Sequence, residues 1–256
     1  ADDKFLYVAH DGLFWGQKVD RSAEDWKEER TLSVMRLDRE NFTITEFPGK
    51  VRFAPIRKYE AGPGSGSKMP PEKDALAGLA YANGSLYLAD RESNQLFVTD
   101  PATGQSSRQF PLTAPAALAS SGDRLFAIAD GKLVSLDPAT GKTTTIASPE
   151  GQPNGLAVGP DGRFFVSDAK DELVRVFDPK GKSLSVVGKP GGVKPGPYDP
   201  LKFHHPSGLT VSNGLLWVTE DDRWQPKRLA AFDATTGEVR KEYFGPTNYG
   251  AQGAGM

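Results

Sequence analysis

The sequence contains no cysteine. This absence excludes disulfide bonds, thiolate catalysis and cysteine-ligated metal sites. It does not exclude a stable core, because a chain of 256 residues can bury one without cross-links. Long apolar runs are also missing: no stretch approaches the roughly 20 residues of a membrane-spanning helix. We therefore predict a folded domain without a membrane span.

An excess of charge of either sign is lacking as well. The 31 basic and 33 acidic side chains give a formal net charge of −2. Phosphate backbones are bound by clustered Lys and Arg, so nucleic acid is a poor candidate partner. The first residue is Ala1 rather than Met. Because a mature exported protein has lost its signal peptide, we expect a secreted or periplasmic location.

A repeated segment is the main feature that the sequence does have. Copies open at Gly78, Ala117, Gly155 and Gly208, with spacings of 39, 38 and 53 residues. The clearest copy, residues 153–187, contains four short segments rich in Val, Phe and Leu, separated by turn residues. In every one of the four copies the third segment ends in Asp, followed by a turn that closes with Gly, at residues 100–104, 137–141, 178–181 and 233–237. A period near 40 with four strands per repeat is typical of β-propeller blades.

The predicted fold is therefore all-β: a single propeller domain over residues 1–256 with four-stranded antiparallel blades, in a five- or six-bladed ring. A partial copy, without its first strand, opens the chain and brings the readable blades to five. Their approximate bounds are 4–48, 76–112, 115–148, 153–188 and 206–245.

One stretch carries a resemblance to known families. It runs Pro153-Asn154-Gly155-Leu156-Ala157-Val158 and continues through Asp161-Gly162-Arg163-Phe164-Phe165-Val166-Ser167-Asp168. It resembles NHL-repeat β-propellers and the related regucalcin/gluconolactonase group of six-bladed propellers. The likeness extends over about residues 76–245 and implies the propeller fold. It says less about activity, because one fold hosts many functions.

The resemblance to the regucalcin group also implies a divalent metal held by a Glu, by an Asn before Gly-Leu, and by an Asp one blade later. Asn154 matches the Asn in type and context, whereas Ser207 occupies the equivalent place in the next blade. Ala77 and Ala116 occupy the other aligned places and cannot bind metal. A lactonase site of that kind is incomplete here.

Four long segments interrupt the copies: residues 11–30, 48–75, 188–206 and 220–228. Each follows a second strand or a fourth strand, so all four are expected at one face of the propeller. Loops on a rigid scaffold tolerate insertions and carry function. Aromatic rings beside charged groups suit carbohydrate, peptide or protein recognition. The predicted ligand-binding residues on this face are Trp15, Tyr198, Asp222 and Trp224.

Acidic residues end most of the second strands, which finish at His10, Asp90, Asp130, Asp168 and Glu220. Such carboxylates suit a cation such as calcium, and equally accept backbone N–H bonds in the following turn. The candidate metal ligands are His10, Asn154 and Glu220. Because some lyase-type propellers that resemble this one use His and Glu, we regard His205 and Glu220 as candidate catalytic residues.

The predicted function is the binding of a ligand or partner, which is a small molecule, a carbohydrate or a protein, at the insertion-bearing face. A metal-dependent hydrolase of the lactonase type, or a lyase, is an alternative, although no catalytic set is complete. A third possibility is a rigid spacer in a larger assembly. The sequence leaves the oligomeric state open, and a divalent cation is the only cofactor it suggests.

Overall fold

A computed structural model describes residues 1–12, 28–61, 75–222 and 225–245. In these described ranges, twenty strands form five four-stranded antiparallel sheets, the blades of a five-bladed β-propeller. This architecture confirms the predicted fold class. Among the described residues, no helix has the length and hydropathy needed to cross a membrane.

The first three blades contain strands β1 to β12. Blade 1 comprises β1 (Phe5–Gly12), β2 (Glu28–Asp38), β3 (Ile44–Thr45) and β4 (Ala54–Ala61). Blade 2 comprises β5 (Leu76–Ala82), β6 (Ser85–Asp90), β7 (Gln95–Thr99) and β8 (Ser106–Pro111). Blade 3 comprises β9 (Pro115–Ser121), β10 (Arg124–Ala129), β11 (Lys132–Leu136) and β12 (Thr143–Ala147).

The last two blades contain strands β13 to β20. Blade 4 comprises β13 (Pro153–Val158), β14 (Phe164–Asp168), β15 (Leu173–Phe177) and β16 (Ser183–Val187). Blade 5 comprises β17 (Pro206–Ser212), β18 (Leu215–Asp222), β19 (Gln225–Asp233) and β20 (Val239–Phe244).

Blade 1 departs from the predicted organisation. Residues 54–61, expected within an insertion between blades, form β4 and pair with β2 over Glu28–Val34. The predicted fourth strand, β3, pairs only with Arg36 and Leu37. Because β2 is 11 residues long, two residues of β3 leave most of one edge unpaired, and β4 satisfies the remaining backbone groups.

The segment 220–228, also expected as an insertion, largely continues a hairpin. Strand β18 extends to Asp222 and β19 begins at Gln225, with these two residues paired. Continuous pairing satisfies backbone groups that a loop would leave to water. The segment therefore lengthens blade 5 rather than interrupting it.

The chain divides into two compact units. The first comprises Ala1–Asp130 and Ser135–Thr144, and the second Gly131–Val134 and Thr145–Met256. Leu32, Leu86, Leu88 and Phe97 belong to the core of the first unit. Phe165, Val174, Phe203 and Phe232 belong to the core of the second. The second and third strands of blade 4 are almost wholly buried, which accounts for their near-continuous apolar sequence.

Turns between third and fourth strands are built by the predicted Asp and Gly. Gly104 donates its N–H to the carbonyl of Asp100 at 2.8 Å, and Gly237 does the same to Asp233 at 2.9 Å. The Asp233 carboxylate accepts the N–H groups of Thr235 and Thr236. These bonds, with the ion pair to Arg240, lower the pKa of Asp233. The turn prediction is confirmed at these positions.

Candidate functional site

Two acidic residues that end second strands, Asp168 and Asp90, form hydrogen bonds and ion pairs within the fold. Asp168 accepts the backbone N–H groups of Gln152 and Lys170 at 2.9 Å each, and an ion pair from Arg175 at 2.7 Å. Burial opposes ionisation of Asp168, but the Gln152 bond and Arg175 outweigh it, so its pKa is lowered.

Asp90 follows the same pattern in the first unit. It accepts the N–H groups of Glu92 and Ser93 at 2.9 and 3.2 Å and pairs with Arg57. These contacts agree with the alternative interpretation given above, in which the carboxylates accept backbone N–H groups in the following turn. An adjacent guanidinium also disfavours calcium at either residue.

Glu220 pairs with an arginine that the sequence analysis did not single out. Its carboxylate accepts the Nε–H of Arg228 at 2.9 Å and a backbone N–H from His204. Burial raises the pKa of Glu220, with Arg228 acting in the opposite direction. A buried carboxyl with a raised pKa meets one condition for a general acid.

Arg228 holds the connection between blades 4 and 5 in place. Its Nη1 donates to the hydroxyl of Tyr198 at 2.9 Å, the carbonyl of Pro200 at 3.0 Å and the carboxylate of Glu242 at 2.8 Å. Its Nη2 donates to the carbonyl of Lys202 at 3.4 Å. The predicted insertion 188–206 is therefore anchored to blade 5 by one buried cation.

Tyr198, a predicted ligand-binding residue, lies beside the end of β20. Its ring contacts Phe244 edge-on, with centroids 5.9 Å apart. The two side chains are 61% and 65% exposed. The tyrosine hydroxyl donates to Glu242, and burial together with this bond raises the pKa of Tyr198. Together they form an exposed aromatic pair whose tyrosine is fixed by polar contacts.

Asn154 connects the first strands of blades 4 and 5. Its amide nitrogen donates to the carbonyl of Pro206 at 3.1 Å, and its amide oxygen accepts from the Ser167 hydroxyl at 2.8 Å. The same hydroxyl also approaches the carbonyl of Ser207 at 3.4 Å. The Asn154 amide thus bonds to one carbonyl and one hydroxyl, not to the carboxylates of the regucalcin pattern. These contacts do not fit the family's divalent ion.

A different cluster brings metal-binding side chains together. Among the described residues, Glu172, His204 and His205 are the group of three whose potential ligand atoms all lie within 4.8 Å of one another. The two imidazole rings are 4.5 Å apart at 70°. His205 Nδ1 lies 3.9 Å from Glu172 Oε1. This arrangement joins the turn before β15 to the residues before β17.

Four other site residues were predicted from the sequence: His10, Trp15, Asp222 and Trp224. His10 belongs to the first unit, where its ring is 6.0 Å from that of Phe53. Trp15, Trp224 and the side chain of Asp222 lie outside the described residues. The roles assigned to these residues from the sequence remain predictions, as do those of His205 and Glu220.

Two residues escaped the sequence analysis although a signal was present. Glu172 stands four residues after Asp168, where blade 2 has Asn94 four residues after Asp90. Arg228 faces Glu220 across the β18–β19 pair, and Arg175 of β15 forms an ion pair with Asp168 at the end of β14. The signal for Glu172 and Arg228 is thus their position relative to the acidic residue that ends the second strand of each blade.

The sheets define a repeat β-propeller, and the clusters around Arg228 and Glu172 lie on blades 4 and 5. Residues 78–225, more than half of the chain, match the family described as SMP-30/Gluconolactonase/LRE-like region. The chain belongs to this family. No curated protein sequence matches it significantly.

Several solved structures are similar to this chain at low sequence identity. Hydrazine synthase of Kuenenia stuttgartiensis aligns with a TM-score of 0.51 and 13% identity, over 71% of this chain and 52% of that one. The chain thus spans about half of that relative. Glutaminyl cyclase of Myxococcus xanthus aligns with a TM-score of 0.48 and 18% identity, over 64% and 68%. A streptogramin B lyase aligns with a TM-score of 0.49 and 17% identity, over 70% and 58%.

Proposed function

We propose that the protein binds a carbohydrate ligand at the edge of blade 5 formed by Tyr198, Glu242 and Phe244. The observation that carries this proposal is the exposed aromatic pair, Tyr198 and Phe244, held beside ionised groups. Exposed aromatic surface bordered by polar groups is typical of a recognition site. The C–H face of a sugar ring stacks on such rings, while neighbouring carboxylates bond its hydroxyls.

The geometry lowers the cost of binding. The Tyr198 hydroxyl contacts both Arg228 and Glu242, so its ring is held before a ligand arrives. Ordering a side chain on binding costs about 0.5–1.5 kcal/mol, and a pre-organised ring avoids most of that cost. The edge-on contact leaves a face of one ring open to a ligand.

A glycan array probed with the whole chain, followed by calorimetric titration of any bound glycan, tests the proposal. Tyr198→Ala and Phe244→Ala should each weaken binding by about tenfold or more. Tyr198→Phe keeps the ring and should cost less. Leu184→Ala and Val186→Ala, at exposed apolar residues of β16, are matched controls. Binding that none of these changes affects, or capture of protein partners but no glycan, would contradict the proposal.

A lactone hydrolase is the second candidate, favoured by membership of a family that includes gluconolactonase in its description. In that case the candidate residues from the sequence, Asn154, His205 and Glu220, would serve the reaction. The test is hydrolysis of a panel of lactones with and without added divalent metal. Activity lost in His205→Ala and Glu220→Gln supports this candidate, and the absence of activity under all conditions rejects it.

A further inference from the structure

We propose that Glu172, His204 and His205 bind a borderline transition-metal ion, represented by Zn²⁺, at the junction of blades 4 and 5. This site is separate from the aromatic pair and goes beyond carbohydrate binding. It also differs from the sequence-based metal candidates His10, Asn154 and Glu220. It rests on the side chains of one corner of the fold, where the turn after a second strand meets the residues that precede the next blade. A corner of the same kind occurs after blade 2.

The ligand atoms need only a small adjustment to reach a metal. All lie within 4.8 Å of one another, whereas donor atoms around tetrahedral zinc are about 3.3 Å apart, given Zn–N bonds of about 2.0 Å. The side chain of His205 is 58% exposed, so its ring is free to turn, while Glu172 is only 18% exposed. Rotation of the exposed His205 ring is therefore the movement we expect to bring the three ligand atoms together.

The backbone of this corner is a property of the fold. Glu172 and His205 have φ values of 53° and 47°, and Glu172 Oε1 accepts the N–H of His205 at 3.4 Å. In the equivalent corner after blade 2, Asn94 and Ala114 have φ values of 55° and 41°. Asn94 Oδ1 accepts the N–H of Ala114 at 2.7 Å. The positive φ values thus recur in the fold, and by themselves they do not indicate a metal site.

The side chains, in contrast, are specific to the corner between blades 4 and 5. The other corner has Asn94, Thr113 and Ala114 where this one has Glu172, His204 and His205. Asn is well suited to a positive φ, whereas Glu is not. Glu172 has a carboxylate where Asn94 has an amide, and two histidines accompany it. A set of metal ligands therefore occupies a backbone of the same conformation as the corner after blade 2.

The neighbouring loop confines the Glu172 carboxylate. A Cβ atom added to Gly192 would lie 1.3 Å from Glu172 Oε2, so the carboxylate packs directly against this glycine. The loop is secured by the bond from Gly191 N–H to the carbonyl of Asp171 at 3.0 Å. With Oε2 against the glycine backbone, Oε1 is the oxygen on the histidine side.

The donor set selects the kind of ion. Two imidazole nitrogens and one carboxylate suit Zn²⁺ and its neighbours in the transition series, whereas Ca²⁺ takes six to eight oxygen ligands. Three protein ligands leave a coordination position for water or a ligand atom, and the exposure of His205 opens that position to solvent. The backbone N–H of His204 donates to the Glu220 carboxylate, and this bond helps to fix the backbone that carries the two histidines.

Titration of the whole chain with ZnCl₂, followed by isothermal calorimetry, tests the site. We expect one Zn²⁺ per chain, a higher melting temperature with Zn²⁺, and no response to Ca²⁺. The single variants Glu172→Asn, His204→Thr and His205→Ala each introduce the residue of the other corner, so the fold should be kept. Each should weaken Zn²⁺ binding by at least about 10- to 100-fold.

Two controls establish whether the loss of Zn²⁺ binding is specific to these three side chains. Glu150→Gln removes an exposed carboxylate of the same unit and should leave Zn²⁺ affinity unchanged. Metal-free melting curves confirm that each variant folds. Binding that survives all three substitutions, or that is lost in His10→Ala instead, would overturn the proposal.

Discussion

Arg228 and Glu220 form an ion pair in which both side chains are almost completely buried, with 3% and 5% of their surfaces exposed. The same guanidinium reaches Tyr198, Pro200 and Lys202 in the preceding connection. One cation thus joins the core of blade 5 to the segment that carries Tyr198 and His204. The pair links the stability of the blade to the geometry of both proposed sites.

Substitution of Arg228 by Met should destabilise the protein strongly. It leaves the Glu220 carboxylate buried without its cation, which typically costs about 3–5 kcal/mol of the free energy of unfolding. The double variant Arg228→Met/Glu220→Leu removes the unpaired buried charge and should recover part of the loss. The acceptors at Tyr198, Pro200 and Lys202 still lack their donor in it. Chemical denaturation of the single and double variants measures both effects.

Arg240→Met is the matched control for that experiment, because Arg240 pairs with Asp233 at the surface. Exposed pairs contribute about 0–1 kcal/mol. If Arg228→Met cost no more than Arg240→Met, the buried pair would not have the role assigned to it.

Asp168 should make the protein sensitive to acid. Its folded pKa lies below its ordinary value because the Gln152 bond and Arg175 outweigh burial. The stability this provides is present above the unfolded pKa of about 3.9 and is lost as pH falls through the folded pKa. Asp168→Asn should therefore be less stable at pH 7 and lose less stability between pH 5 and pH 2. Parallel pH profiles for the two proteins would contradict this assignment.

Gly155 should not tolerate a side chain. A Cβ atom there would lie 1.9 Å from the carbonyl oxygen of Ser207 and 2.4 Å from the Ser167 hydroxyl. Because the nearer obstacle is backbone, blades 4 and 5 would have to separate, at a cost of about 1–3 kcal/mol or more. Gly214→Ala is the control: its φ is +74°, nothing lies within 4 Å, and only backbone strain of about 1–2 kcal/mol is expected, without a steric clash. Equal melting temperatures for the two variants would refute the close approach.

Transfer of the proposed metal ligands should create a second site. The variant Asn94→Glu/Thr113→His/Ala114→His places the same side chains on the equivalent corner after blade 2, where the backbone has matching φ values. This prediction depends on the zinc proposal, and the expected result is two Zn²⁺ per chain instead of one. A folded variant that still binds a single Zn²⁺ would mean that this backbone and these side chains are not sufficient.

The repeat and its turns could be predicted from local patterns alone. Gly78, Gly155 and Gly208 open first strands, and each Asp-to-Gly turn forms where the sequence placed it. Both features depend on short-range chemistry: glycine allows close approach or positive φ, and an aspartate carboxylate accepts nearby N–H groups.

Long-range pairing required the tertiary structure. The sequence around Ala54–Ala61 has no repeat signature, and its place in blade 1 depends on the unpaired edge of β2. Asn154 looked like a metal ligand because of its local context, but its amide bonds to Pro206 and Ser167 decide its use. A hydrogen bond between residues 52 positions apart leaves no local trace.

By itself, then, the sequence determined the blades, because strand period and turn chemistry act over a few residues. The tertiary structure decided which side chains meet. Glu172 and His205 are 33 residues apart in the chain, and Arg228 follows Tyr198 by 30, yet each pair is in contact. Stacking of neighbouring blades brings their corners together, and the candidate sites arise from that proximity rather than from any continuous motif.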